Sequence, residues 1–237
     1  MSVLLLKLAG PLQSWGAASR FSRRETRREP TRSGILGLLA AAQGRRRTDP
    51  IEDLAALRFG VRIEQPGRLV TDFQTARSLD GRRTMPLSTR HYLADAVFLA
   101  AVEGEDAMVE GLVEALRRPT FPLFLGRRSC PPAGPLVEAL RSGSLVEVLR
   151  AEEWRAAAWW RRQERDARVD LEIVRDATDD DADVEVVRDE PVSFDPRRRE
   201  YAWRRVAREW VTVDNPDHPG NGSVPIHHDP VGLLEEV

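Results

Sequence analysis

The chain opens on an unbroken apolar run over residues 3–8, the length and character of a strand buried on both faces. Gly10-Pro11 ends it, and Leu12-Gln-Ser-Trp-Gly16 forms the turn. Residues 17–30 show no period and read as an irregular basic loop. Periodicity returns at Thr31. Ile35, Leu36, Leu38 and Leu39 recur at helical spacing, Thr31 or Ser33 caps the first turn, and Gly44 ends the helix after residue 43. Residues 57–64 read as a strand. Residues 69–75 and 84–92 flank Asp80-Gly81, a hairpin turn signal. Residues 96–102 form another buried run. Met108, Val109, Leu112, Val113 and Leu116 predict a helix over 106–118, stopped by Pro119.

Strand, helix, strand, hairpin, strand, helix is the order of an α+β, ferredoxin-like domain with an elongated hairpin inserted. This body spans 1–149. Within it, residues 119–135 form a Pro-rich loop and 136–142 a short helix. A smaller β-rich region follows over 150–213, with strands at 171–175 and 184–188. Residues 201–213 fit a strand or a helix. The Pro/Gly-rich tail, 214–237, is expected to be extended.

Composition changes this picture in one respect. Net charge is only −2 over 237 residues, with 41% hydrophobic and 31% charged, yet the charges are segregated. Residues 20–47 hold nine arginines against two glutamates, while 166–190 hold eleven acidic residues against three arginines. A uniformly basic nucleic-acid binder is excluded; one with a basic face is not. Lys7 is the only lysine. Cys130 stands alone, which excludes an intramolecular disulfide framework and a cysteine zinc cluster. No apolar run approaches membrane length and no signal segment precedes the first strand, so a cytoplasmic protein with no membrane partner is expected.

Two stretches suggest anion binding. In Pro30-Thr-Arg-Ser-Gly-Ile-Leu-Gly-Leu-Leu39, a helix N-terminus offers unpaired N–H groups beside Arg32. Gly34 and Gly37 permit close backbone approach. Arg20, Arg23, Arg24, Arg27 and Arg28 precede this helix and Arg45, Arg46 and Arg47 follow it. The plainer alternative is an ordinary cap beside a solvated loop. The second stretch is Gly126-Arg-Arg-Ser129, with Phe121 and Phe124 near enough to stack a base; the alternative is two surface arginines beside core phenylalanines. The hairpin carries Arg77, Arg82, Arg83 and Arg90 with Met85, His91 and Tyr92, a basic finger with an apolar residue near its tip. The plainer alternative is an ordinary solvated hairpin. Catalysis finds little support: His91 is in the hairpin, and His218, His227 and His228 lie in the tail. No catalytic, metal or cofactor residues are assigned. The acidic cluster at 179–183 reads as a solvated turn. Tryptophans 154, 159, 160, 203 and 210 read as core or interface, with Trp15 beside its turn as the exception.

Leu8-Ala-Gly-Pro-Leu-Gln-Ser-Trp-Gly16, the stretch from Pro30 to Leu39, and Leu125-Gly-Arg-Arg-Ser-Cys-Pro131 together resemble the CasD group. This is the type I-E branch of the Cas-five family, in the RAMP superfamily of CRISPR-associated proteins. Asp189-Glu-Pro-Val-Ser-Phe-Asp-Pro196 and Arg208-Glu-Trp210 resemble its C-terminal segment. The matches keep their order to about residue 213, and the tail has no counterpart. The resemblance implies a ferredoxin-like (RRM/RAMP) body with a thumb hairpin at about 69–92. It implies a non-catalytic, RNA-binding subunit of the Cascade antiviral surveillance complex that holds the 5′ handle of CRISPR RNA. The implied protein partners are the backbone subunit (CasC) and the large subunit (CasA), with target DNA met only through the complex. Carried over residue by residue, Gln13 and Trp15 lie by the handle. Arg24, Arg28, Arg32, Ser33 and Gly34 line its phosphates, as do Gly126, Arg127, Arg128 and Ser129. Arg77, Arg82, Arg83, Met85, Arg90 and His91 belong to the thumb. Some relatives cut repeat RNA themselves, so a metal-independent endoribonuclease is the alternative. Their Tyr, Lys and His set has no placement here, and the single lysine on the first strand argues against it.

Overall fold

The computed structural model describes residues 1–16 and 23–218. Its first strand, β1 (Ser2–Ala9), feeds two layers. Leu4, Leu6 and Leu8 enter one core, and Val3 and Leu5 enter another. Both faces are covered, so the run needs no polar alternation. Short strands β2 (Leu12–Gln13) and β3 (Arg23–Arg24) follow. Helix α1 (Arg32–Ala42) is capped by Thr31, whose hydroxyl accepts from the Gly34 N–H at 3.2 Å. Gly44, at φ +79°, ends it. After the single turn α2 (Glu52–Ala55) come β4 (Arg58–Gln65), β5 (Arg68–Gln74), β6 (Ser88–Ala94), β7 (Val97–Gly104) and α3 (Asp106–Arg117).

The next element corrects the sequence reading. Residues 136–142 do not form a helix; Val137–Ser142 is strand β8, antiparallel to β1 with Leu4 opposite Leu140. An open sheet edge offers this short segment a full hydrogen-bond ladder, which local propensity cannot match. The helix comes later, as α4 (Leu145–Ala151), opened by a capping box between Ser144 and Glu147. Then follow α5 (Ala158–Gln163), β9 (Arg168–Asp176), β10 (Val184–Ser193) and β11 (Glu200–Asp214). The ambiguous 201–213 segment is thus a strand, held between β9 and β10.

The main sheet has seven strands in the order β10-β11-β9-β4-β7-β1-β8, every neighbouring pair antiparallel. Leu4, Leu6, Phe59 and Phe98 pack with Ile35, Leu36 and Leu39 of α1 and Leu112 of α3. On the opposite face, Leu5, Leu99 and Ile173 pack with Leu145 and Leu149 of α4. Fully buried Arg62 on β4 ties α4 down: its guanidinium pairs with Glu64 at 2.6 Å and donates to the Leu149, Glu152 and Glu153 carbonyls.

The C-terminal strands are not a separate layer. β9 joins β4, with Val61 opposite Val174, so residues 168–214 extend the sheet of the N-terminal body. Nor does the body stop at 213. Asn215 is buried, and its side-chain amide donates to the Arg161 and Asp166 carbonyls at 3.0 and 3.3 Å. A second, smaller sheet centres on β6. It pairs with β5 on one side and with β2 and β3 on the other. The β5–β6 hairpin closes with an Arg77–Thr84 bridge and Gly81 at φ +71°.

Candidate nucleic-acid interface

Three loops, at 10–16, 23–31 and 125–131, lock into one platform above α1. Gln13 is its buried keystone. Its amide donates to the Leu8 and Ala96 carbonyls at 3.0 and 2.7 Å, and its Oε1 accepts from the Trp15 indole at 3.1 Å. The Ser14 N–H bonds to the Leu125 carbonyl and the Arg27 N–H to the Trp15 carbonyl. Gly126 sits at φ +82°, and a Cβ there would lie 1.8 Å from the Ser14 carbonyl oxygen. Only glycine permits that closeness. Gly34 serves a similar need, since a Cβ on it would come within 2.8 Å of the Trp15 ring.

This geometry divides the expected site residues. Trp15 is fully buried, so it packs α1 and presents no face to a base. Arg32 also points inward. Its guanidinium pairs with Asp176 and, at 2.8 Å, with Glu190, and donates to the Ala55 and Leu57 carbonyls. Ser33 is buried beside it. The helix N-terminus does meet an anion, as its physics demands, but the anion is internal. Asp189, 157 residues away, accepts from the Arg32 N–H at 2.9 Å. Arg204 completes the cluster, bonding Asp189 at 2.6 Å and Asp176 at 2.8 Å. Burial works against the Arg204 cation, yet these two carboxylates outweigh it and hold its pKa above the usual arginine value. Burial likewise pushes the Glu190 carboxyl upward. The expectation that Arg32, Ser33 and Gly34 line an external phosphate is therefore corrected: the fold has filled that position with its own carboxylate.

Other expected residues stay at the surface. Arg24, Arg28, Gly126, Arg128 and Ser129 are exposed, and Arg24, Arg28 and Arg128 have no carboxylate partner among the described residues. Arg127 is intermediate. It lies over the Tyr92 ring at 4.6 Å and donates to the Arg24 carbonyl at 2.9 Å, binding the glycine loop to the arginine strand. Parallel pairing places Arg24 opposite Arg90, so basic residues of β3 and the hairpin base stand side by side. Farther out, Arg77, Arg82, Arg83 and Met85 are exposed. His91 is held by Thr71, whose hydroxyl lies 3.1 Å from Nδ1. Arg20, His227 and His228 lie outside the described residues. In the acidic 179–183 turn, Asp181 is engaged by Arg175 and Thr178, which hold its carboxyl far below the usual range. Among the described residues, no cluster of His, Cys, Asp and Glu has a metal-binding arrangement, and no helix is long and apolar enough to cross a membrane.

A layered antiparallel sheet with a basic platform at the root of a projecting hairpin defines the class, and comparison defines the family. The family model described as CRISPR-associated protein (Cas_Cas5) matches residues 3–207. The chain belongs to this family. A curated relative, the CRISPR system Cascade subunit CasD of Escherichia coli (strain K12), is 37% identical over 157 residues. That alignment spans 57% of this chain and 69% of the relative. A chain of a solved CRISPR RNA-guided surveillance complex superposes with a TM-score of 0.73 at 34% identity, covering 93% of this chain and 95% of that one. The crystal structure of a Cas protein gives 0.70 at 37% identity, covering 92% and 97%.

Proposed function

We propose that this chain is a non-catalytic subunit of a Cascade surveillance complex that grips the 5′ handle of CRISPR RNA. The observation that carries the reading is the platform. Arg24 and Arg128 reach solvent without carboxylate partners among the described residues, on loops fixed by Gln13, Trp15 and Gly126. Unpaired arginines on a rigid support suit phosphates, because the guanidinium fork needs little reorganisation to bind them. The exposed Ser129 adds a neutral hydroxyl.

We read β1-α1-β4-β7-α3-β8 as a ferredoxin-like body and the β5–β6 hairpin as its thumb. The side-by-side placement of Arg24 and Arg90 makes the thumb's base continuous with the grip. The handle runs over the platform and ends where Met85 and the tip arginines wedge the chain toward its guide. Protein neighbours are the backbone subunit (CasC) and the large subunit (CasA), and target DNA is met through the assembled complex. The setting is cytoplasmic. Purification from the host followed by sequencing of bound RNA tests the reading. Enrichment of CRISPR repeat-derived 5′ ends is expected; recovery of a random RNA population would contradict it.

A further inference from the structure

We propose that the cleft between β9, β11 and the 154–164 segment is a docking pocket for an arginine or lysine side chain of a protein partner. The cleft has a volume of about 500 Å3 and is walled by Trp154, Trp160 and Trp210. Trp210 is 67% exposed, although it sits in the middle of a 15-residue strand. Its neighbours are acidic. Glu172 stands opposite it in the ladder, Asp170 stands opposite Thr212, and Glu164 closes the rim.

These carboxylates are not all satisfied internally. Glu172 is engaged by Arg208, which also binds Glu29 and Glu185. Asp170 uses one oxygen on the Thr212 hydroxyl, and Glu164 uses one on the N–H groups of its own loop. The second oxygen of each has no hydrogen bond among the described residues. Arg28 and Arg208 face Glu29, Glu164, Asp170 and Glu172, while Glu64 is neutralised by Arg62. The cleft is therefore net negative. It repels a phosphate and attracts a cation.

Aromatic chemistry points the same way. Four other aromatic faces carry the protein's own arginines: Arg127 over Tyr92, Arg204 over Phe59, Arg199 over Tyr201 and Arg188 over Trp203. Trp210 has no such cation among the described residues. A tryptophan face beside two available carboxylate oxygens completes its interactions with a guanidinium or ammonium group supplied from outside. The C-terminal residues 219–237 contain no lysine or arginine, so they are not that source. A protein segment presenting a basic side chain fits.

The full-length chain with nitrogen-15-labelled tryptophan indoles tests this by NMR. The probes are acetyl-Gly-Arg-Gly-amide, acetyl-Gly-Gly-Gly-amide and a single-stranded RNA octamer. The Trp210 signal, assigned by its loss in Trp210→Phe, is expected to move with the arginine peptide alone. Asp170→Asn combined with Glu164→Gln should weaken that apparent affinity by about three- to fivefold. The same variant should keep its dispersed spectrum and bind RNA as the parent does. Movement with RNA but not the arginine peptide would overturn the proposal and make the cleft a nucleic-acid subsite. Equal movement with both peptides, or movement with none of the probes, would also overturn it.

Discussion

Neighbouring arginines on one short stretch serve opposite ends. Arg28 reaches solvent, while Arg32, four residues on, is committed to Asp176, Glu190 and two carbonyls. Removing Arg32 leaves part-buried Glu190 without its cation and Asp176 with Arg204 alone, a loss that typically costs about 1–3 kcal/mol. Arg32→Ala should therefore lower stability by that order in urea unfolding, whereas Arg28→Ala should leave stability nearly unchanged. Equal stability of the two variants would place Arg32 at the surface. The sequence singled out loops that the fold packs together, but not the direction of each side chain. Arg28 and Arg32 look alike locally, and the residue that distinguishes them, Asp189, lies 157 positions away. Trp15 has the same history: its turn was legible, but its burial depends on Gly34 and on the glycine loop closing over Ser14.

At the scale of elements, the strongly periodic segments were legible. The first strand, α1, the hairpin, the buried run at 97 and α3 stand within a few residues of their expected bounds. The segments misassigned or left open are those whose state is decided by a partner. Residues 137–142 become a strand because β1 offers an open edge, and 200–214 because β9 and β10 flank them on both sides. The hairpin supports the sharpest expectation at this scale. Its strands pair from Arg68–Ala94 to Gln74–Ser88, and its outer part touches little else, with Leu79 and Met85 both exposed. Wedging a nucleotide costs a few kcal/mol in unstacking, which tip arginines and the buried wedge can offset. Replacing 76–88 with a short Gly-Ser linker should keep the melting transition and weaken incorporation into the complex. Chemical probing should then lose the reactive nucleotide where handle meets guide. Normal assembly with that nucleotide still reactive would reduce the hairpin to a solvated loop.

At the scale of the whole molecule, one sheet unites the two halves that composition separates. The basic N-terminal loops and the acidic C-terminal strands meet in the Arg32–Asp176–Arg204–Asp189 cluster, so charge segregation along the chain becomes pairing in space. Asn215 anchors the last strand to the 161–166 segment. Truncation after residue 218 should preserve stability and RNA binding, while truncation after 213 should lower the unfolding midpoint by leaving those carbonyls unsatisfied. Identical midpoints would make 214–218 dispensable. The central claim is that RNA phosphates are held by the exposed arginines of the platform rather than by the helix start. The most direct measurement is the affinity for CRISPR RNA bearing its 5′ handle as a function of salt, for the parent and for Arg24→Glu with Arg128→Glu. Each lost phosphate contact should reduce the steepness of log affinity against log salt by about 0.7, so the double variant should be shallower by about 1.4 and bind more weakly. An unchanged slope and affinity would contradict the claim.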